Sequence, residues 1–327
     1  MKTKGRGNLI AVLVVYISLW GCQNISGPDS APTKTANEID YVEQGLSKSE
    51  AGDFEGAIAK FSQGLKQAPQ SAELYLQRGL AYSQLGETKA AIADYEEALV
   101  YEPENAEVYF NRAIDYINLG EYQQAIADFT QALNLDPKYA QAFVNRGSLR
   151  FQLGDGTGAI ADFTQAIAAE PDLLVAYYNR GLAYGQLGEN AAAVNDFSEA
   201  LKLDPSFAQA IVNRGNVRLQ MGDMLGAIAD FTKALSFNEE DALAHNNLGL
   251  AQLQSGELEQ AQQSFSRSLE IFPDYAQALY NRGLVHRELA DYSAARKDFQ
   301  QAVQLFEAQN HQAAYEQALL ELRALND

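Results

Sequence analysis

Thiol chemistry has almost no raw material in this chain, because Cys22 is the only cysteine among 327 residues. One cysteine excludes an internal disulfide and a thiolate zinc centre. Histidine is nearly as scarce, and its three residues leave little for metal ligation or a nucleophile–histidine–acid triad. Tryptophan occurs once, at Trp20, and proline at eight positions. Basic residues are outnumbered, 24 Lys+Arg against 43 Asp+Glu, for a net charge of −19. Such a surface repels polyanions, so nucleic acid is not expected as a partner. Hydrophobic residues, by contrast, make up 47% and charged residues 20%, enough for a sizeable core and against wholesale disorder. The length suggests about two domains without deciding between two cores and one long array.

Residues 1–21 read as an export signal. Lys2, Lys4 and Arg6 are followed by an apolar run of 12 residues, Leu9 to Trp20, interrupted only by Tyr16 and Ser18. A membrane-spanning helix needs about 20 apolar residues, whereas a signal needs fewer. The run ends Leu19-Trp20-Gly21-Cys22. This resembles the lipobox of bacterial lipoproteins, although Trp20 stands where that family usually has a small residue. The resemblance implies cleavage before Cys22, a diacylglycerol on its thiol, and acylation (palmitate-type) of the new amine. The alternative is an ordinary secretory signal that happens to end at a cysteine. Residues 22–37 would then be the lipidated cysteine and a flexible tether, in which Pro28 and Pro32 discourage helix. Several acyl chains anchor stably where one is marginal. The implied location is the bacterial cell envelope, lipid-anchored and facing the periplasm. Gln23 after the cysteine, rather than Asp, favours the outer membrane over the inner. Loss of the three basic signal residues takes the net charge to −22.

A fixed period of 34 residues governs the rest. Gly45, Gly79, Gly147, Gly181, Gly215, Gly249 and Gly283 share one register, with Ala113 filling the gap. Ala57, Ala91, Ala125, Ala159, Ala193, Ala227, Ala261 and Ala295 occupy another. Four residues beyond each of these is an aromatic: Phe61, Tyr95, Phe129, Phe163, Phe197, Phe231, Phe265 and Phe299. Pro69, Pro103, Pro137, Pro171, Pro205 and Pro273 close six units, whereas the sixth unit has Glu239 there. The units are 38–71, 72–105, 106–139, 140–173, 174–207, 208–241, 242–275 and 276–309, without insertion or deletion. The pattern, at positions 4, 8, 11, 20, 24, 27 and 32 of each unit, resembles the tetratricopeptide repeat (TPR). That resemblance implies an all-α fold, a right-handed α-solenoid of eight helix hairpins. The physics of the residues agrees. Positions 4, 8 and 11 form one helical stripe. Small residues at 8 and 20 allow close approach, and no lone hairpin can bury both faces. Residues 310–327 leave the register. Their stripe of Tyr315, Ala318, Leu319, Leu322 and Leu325 predicts a C-terminal capping helix.

Arginine recurs at position 7 (Arg78, Arg112, Arg146, Arg180, Arg214, Arg282) and aspartate at position 23 of the same six units (Asp94, Asp128, Asp162, Asp196, Asp230, Asp298). Units one and seven lack both. Joint presence and absence predict an ion pair orienting each hairpin; a ligand role for the arginines is the alternative. On the opposite face lie positions 2, 5, 6, 9, 12 and 13. Position 6 carries Asn111, Asn145, Asn179, Asn213, Asn247 and Asn281, preceded by Gln77. Position 13 carries Gln84, Asn118, Gln152, Gln186, Gln220 and Gln254. Position 5 is mostly apolar, including Phe110, Tyr178 and Tyr280. Amides donate and accept, so such rows can satisfy an extended peptide backbone while apolar neighbours take its side chains. The asparagine row is similar to that of the TPR superhelix of O-linked GlcNAc transferase. It does not resemble the carboxylate clamp of chaperone-binding TPR proteins, which needs Lys at positions 5 and 2. Asparagines that merely space neighbouring helices are the other reading. His245 and His286, at positions 4 and 11 of adjacent units, read as core histidines rather than metal ligands. No phosphate-cradling loop occurs, and neither metal nor cofactor is expected. The expectation is a non-catalytic, lipid-anchored scaffold or adaptor binding protein segments in its groove during envelope assembly. A module for peptidoglycan or exported polysaccharide is the alternative.

Overall fold

The computed structural model describes residues 36–325. The signal segment, Cys22 and the tether up to residue 35 lie outside the described residues. The described chain forms two compact units, one ending at Ala176 and one beginning at Tyr177. Among the described residues every regular element is an α-helix.

The first unit contains α1 (Ala36–Glu50), α2 (Phe54–Gln67), α3 (Ala72–Gln84), α4 (Thr88–Tyr101), α5 (Ala106–Asn118), α6 (Tyr122–Leu135), α7 (Ala140–Gln152) and α8 (Gly156–Ala169). The division falls inside α9 (Leu174–Leu187). From there the second unit runs through α10 (Asn190–Leu203), α11 (Ala208–Met221), α12 (Met224–Phe237), α13 (Ala242–Ser255), α14 (Leu258–Ile271), α15 (Ala276–Glu288), α16 (Tyr292–Ala308) and α17 (Gln312–Ala324). Within each unit, odd-numbered and even-numbered helices pair as hairpins. First helices also touch the first helices of neighbouring hairpins, as α1 does α3 and α11 does α13. The first helices therefore form the inner side of each unit.

Local chemistry sets the hairpin. The turn between its helices needs a left-handed residue, and Gly86 (φ 75°) and Gly120 (φ 77°) supply it. The eighth hairpin has Ala290 there, held at φ 62°. The second helix opens on Asp53, Asp155, Asp223 or Asp291 in four hairpins, each carboxylate accepting a hydrogen bond from the backbone N–H three residues on. At position 8 the glycine sits under the ring of position 24. A Cβ on Gly181 would lie 2.8 Å from the Phe197 ring, and on Gly147 2.9 Å from Phe163. The rings of Phe163 and Phe197, like Ala159 and Ala193 beside them, are fully buried. At the C-terminal end, α17 packs on α16 through Ala318, with Tyr315 against the cluster of Leu279, Ala302 and Phe306. Arg296 donates to the Leu325 carbonyl at 3.0 Å, and Arg287 bonds Glu321.

Candidate functional site

The six arginines at position 7 each make a two-pronged ion pair with the aspartate at position 23 of the same hairpin. Arg78 reaches Asp94 at 2.7 Å through both Nε and Nη2. Arg112 holds Asp128 at 2.7 and 2.9 Å, and Arg146 holds Asp162 at 3.0 and 2.7 Å. In the second unit Arg180 binds Asp196 at 2.7 and 2.8 Å, Arg214 binds Asp230 at 3.0 and 2.6 Å, and Arg282 binds Asp298 at 2.8 Å twice. All six aspartates are buried. The third donor of several arginines crosses to the preceding hairpin: Arg78 to Ser62, Arg146 to Thr130, Arg214 to Ser198 and Arg282 to Ser266. One guanidinium thus closes its own hairpin and ties it to its neighbour, which is the kind of fork only Arg provides. The Asp94 carboxylate holds the Arg78 pKa above its ordinary value.

Position 11 completes this arrangement in two ways. Where it is Tyr82, Tyr116 or Tyr184, the ring lies under the guanidinium, with Arg112 5.7 Å above the Tyr116 ring. Where it is Arg150 or Arg218, a second cation joins the same aspartate, at 2.8 Å in both cases. His286 lies 3.7 Å from Asp298. His245 faces the Glu239 carbonyl at 3.0 Å, so the two histidines serve different partners. The seventh hairpin, which lacks the pair, has a neutral substitute in which Ser264 donates to Gln252 at 2.7 Å.

The inner side differs from the open ladder expected of positions 5 and 6. Phe110 and Tyr178 are buried: Phe110 lies 4.8 Å from the Tyr139 ring and Tyr178 4.8 Å from Phe207. Tyr280, part-buried, packs on Phe299 at 5.8 Å. Asn145, Asn179, Asn213 and Asn281 are also buried. Asn213 donates to the Tyr178 hydroxyl at 3.1 Å, from position 6 of one hairpin to position 5 of the one before. Asn281 repeats that geometry on Asn246 at 3.1 Å. These residues are a seam between hairpins, because the next first helix covers what a single helix would leave open. Part-exposed members of the row are Gln77, Asn111 and Asn247. Asn111 bonds back to the Glu107 carbonyl and Gln77 to the Glu73 carboxylate, both at 2.9 Å. The amides that do face solvent are at position 13: Gln84, Asn118 and Gln152 in the first unit, Gln186, Gln220 and Gln254 in the second.

The repeat pattern is matched by several family models described as tetratricopeptide repeat or TPR repeat. They cover residues 42–107, 106–139, 147–188, 175–207, 215–256 and 240–308. The chain belongs to the tetratricopeptide-repeat family. No curated protein matches it. Among solved structures, the C-terminal part of a TPR repeat-containing protein from Cytophaga hutchinsonii is similar with a TM-score of 0.64, at 17% identity over 73% of this chain and 98% of that one. A tetratricopeptide repeat protein from Parabacteroides merdae has a TM-score of 0.53 at 21% identity, over 77% and 99% of the two chains. YrrB, described as a TPR protein with an unusual peptide-binding site, has a TM-score of 0.54 at 23% identity, over 57% and 95%. These likenesses establish the TPR fold.

Two features of the inner TPR face were not legible as sites from the repeat pattern. In the second unit an amide relay runs from Gln277 to Asn281, Asn246, Asn247 and Asn216, with donor–acceptor distances of 3.0–3.2 Å. In the first unit, burial pushes the Glu107 carboxyl up to about 7, with Glu73 adding to the effect. Burial also pushes Asp115 up to about 6, against hydrogen bonds from Ser83 and Asn118. Among the described residues no group of three or more His, Cys, Asp or Glu is placed to hold a metal ion. Nor is any described helix long and apolar enough to cross a membrane.

Proposed function

We propose that this TPR protein is a non-catalytic scaffold or adaptor that binds partner proteins as extended segments along the inner side of its units. The observation that carries the reading is the exposed amide row at position 13, one Gln or Asn per hairpin from Gln84 to Gln254. Each amide can donate to one backbone carbonyl and accept from one backbone N–H, the requirement of a strand-like guest. The row carries no charge of its own, so recognition there is directed at backbone. Similarity to a TPR protein described by its peptide-binding site supports the same reading. We further propose that Cys22 carries lipid and tethers the repeats to a membrane of the bacterial cell envelope, with the outer membrane favoured, where the scaffold serves envelope assembly.

A photo-crosslinking amino acid placed at Gln152 or Gln186 tests the groove. The expected product is a covalent adduct with a protein segment. Capture from outward-facing sites alone would overturn the groove reading. An adduct with peptidoglycan or polysaccharide would instead select the glycan-binding alternative, for which amides are also suited.

A further inference from the structure

Two departures from the repeat meet inside the first unit. Position 24 is Phe in every hairpin except the second, where it is Tyr95. Position 10 is Ser47 in the first hairpin and Ala, Leu or Val in the others, except for Asp115 in the third. Asp115 is fully buried, on α5. One of its oxygens accepts from Ser83 Oγ at 3.0 Å and, weakly, from Asn118 Nδ2 at 3.4 Å. The other, Oδ2, has no hydrogen-bond partner. Tyr95, also fully buried, stands near it, and its hydroxyl lies against Ser83 without a hydrogen bond of good geometry. No Lys, Arg or His pairs with Asp115 among the described residues, whereas every aspartate at position 23 that faces an arginine is paired with it. Two turns earlier on α5, the Glu107 carboxyl makes no hydrogen bond or ion pair within the described chain, and Glu73 stands near it.

A buried carboxylate with an unfilled oxygen is costly unless something brings a donor to it. Asp115 Oδ2, Tyr95 Oη and Ser83 Oγ offer three oxygens, and an ammonium brings three donors. Asn118 is exposed and its bond to Asp115 is long, so it is the group an entering cation displaces. Glu73 and Glu107, on the same two first helices α3 and α5, add negative charge that attracts a cation. We propose that the inner face of the second and third hairpins is a receptor for one cationic side chain, lysine or arginine, of the bound segment. This rests on the peptide-binding reading and adds a charge requirement to it. The second unit has no counterpart, because its inner face carries the amide relay and no equivalent of Asp115.

The full chain, its Asp115→Asn form and its Glu107→Gln form are panned against displayed random decapeptides. Peptides enriched by the unaltered chain are expected to share a Lys or Arg at one position, and acetylating that lysine should weaken binding about tenfold, the worth of one charge-assisted contact. Asp115→Asn should still bind peptides but lose the preference. Peptides bound without a basic preference, or a preference unchanged in Asp115→Asn, would overturn the cation receptor while leaving the groove reading intact. Failure of all three forms to bind any peptide would overturn both. As a readout independent of peptide, the Asp115 carboxyl is titrated by NMR with and without n-butylammonium. A midpoint lowered by the amine supports the receptor, and an unmoved midpoint means the site holds water only.

Discussion

At the residue scale, two residues depart from the pattern that most of their counterparts keep. Ala290 takes the left-handed turn conformation that glycine supplies in the other hairpins, at φ 62°. A Cβ disfavours that region by about 1–2 kcal/mol, partly offset by the greater freedom glycine has in the unfolded chain. Ala290→Gly should therefore stabilise the protein by about 0.5–1 kcal/mol, read as a higher urea midpoint with an unchanged slope. The second position is Asp115, whose carboxyl burial pushes up to about 6 from 3.8. Because the folded form holds its proton where the unfolded form has released it, the folded state loses stability from this group as pH rises from about 4 to 6. Above that window the loss is complete. Asp115→Asn removes the titration and places an amide donor beside the Tyr95 hydroxyl. Relative to the unaltered chain it should gain on the order of 1–3 kcal/mol between pH 4 and 7, and a gain independent of pH would contradict the assignment. Both residues are visible in the sequence as breaks in a register. Neither break says alone whether it is strain, packing or a site, since that depends on φ and on which neighbours are present.

At the scale of the element, the hairpin was the most legible part. Gly, Ala, aromatic and proline registers fix two helices and a turn, and the paired loss of Arg and Asp in the first and seventh hairpins marks a contact between them. What the sequence could not display is the third donor of Arg78, Arg146, Arg214 and Arg282, because Ser62, Thr130, Ser198 and Ser266 belong to the preceding hairpin. The same limit explains the asparagine row. A helical wheel places position 6 away from its own partner helix, but it contains no neighbouring hairpin to cover Asn213 with Tyr178. Coupling between Arg214 and Asp230 should accordingly exceed that of a surface pair. A double-mutant cycle with alanines is expected to return about 2–4 kcal/mol, and a value under about 0.5 kcal/mol, that of an exposed pair, would exclude a structural role. Helix starts differ as well. Glu87, Glu121, Glu189 and Glu257 occupy the N-cap without capping through their side chains, where Asp53 and its three equivalents do. Glu's extra methylene carries its carboxylate past the N–H that Asp reaches. Glu121→Asp and Glu189→Asp should each add about 0.5–1 kcal/mol, near-additively because they lie in different hairpins, as thermal unfolding would show.

At the scale of the whole molecule, repetition means that each hairpin contacts only its neighbours, and stability is a sum of local terms. Inner-face chemistry is then free to differ from one unit to the other without altering the scaffold, as the carboxylates of the first and the amide relay of the second illustrate. The seventh hairpin makes the same point, exchanging its ion pair for the Ser264–Gln252 bond within an otherwise unchanged register. The proposed lipid attachment at Cys22 is a separate matter from the repeats, and it has a spectroscopic consequence. Trp20 is the only tryptophan and lies two residues before Cys22, while the rest of the chain contains many of its 17 tyrosines. If the chain is cleaved before Cys22, protein purified from bacterial membranes should show tyrosine emission alone. Cys22→Ala should abolish labelling by radioactive palmitate and retain Trp20. Tryptophan emission from the purified membrane form, or palmitate incorporation by Cys22→Ala, would refute lipidation at this cysteine. Soluble periplasmic protein lacking both tryptophan and lipid would select an ordinary secretory signal and overturn the membrane tether, while leaving the groove reading to its own test.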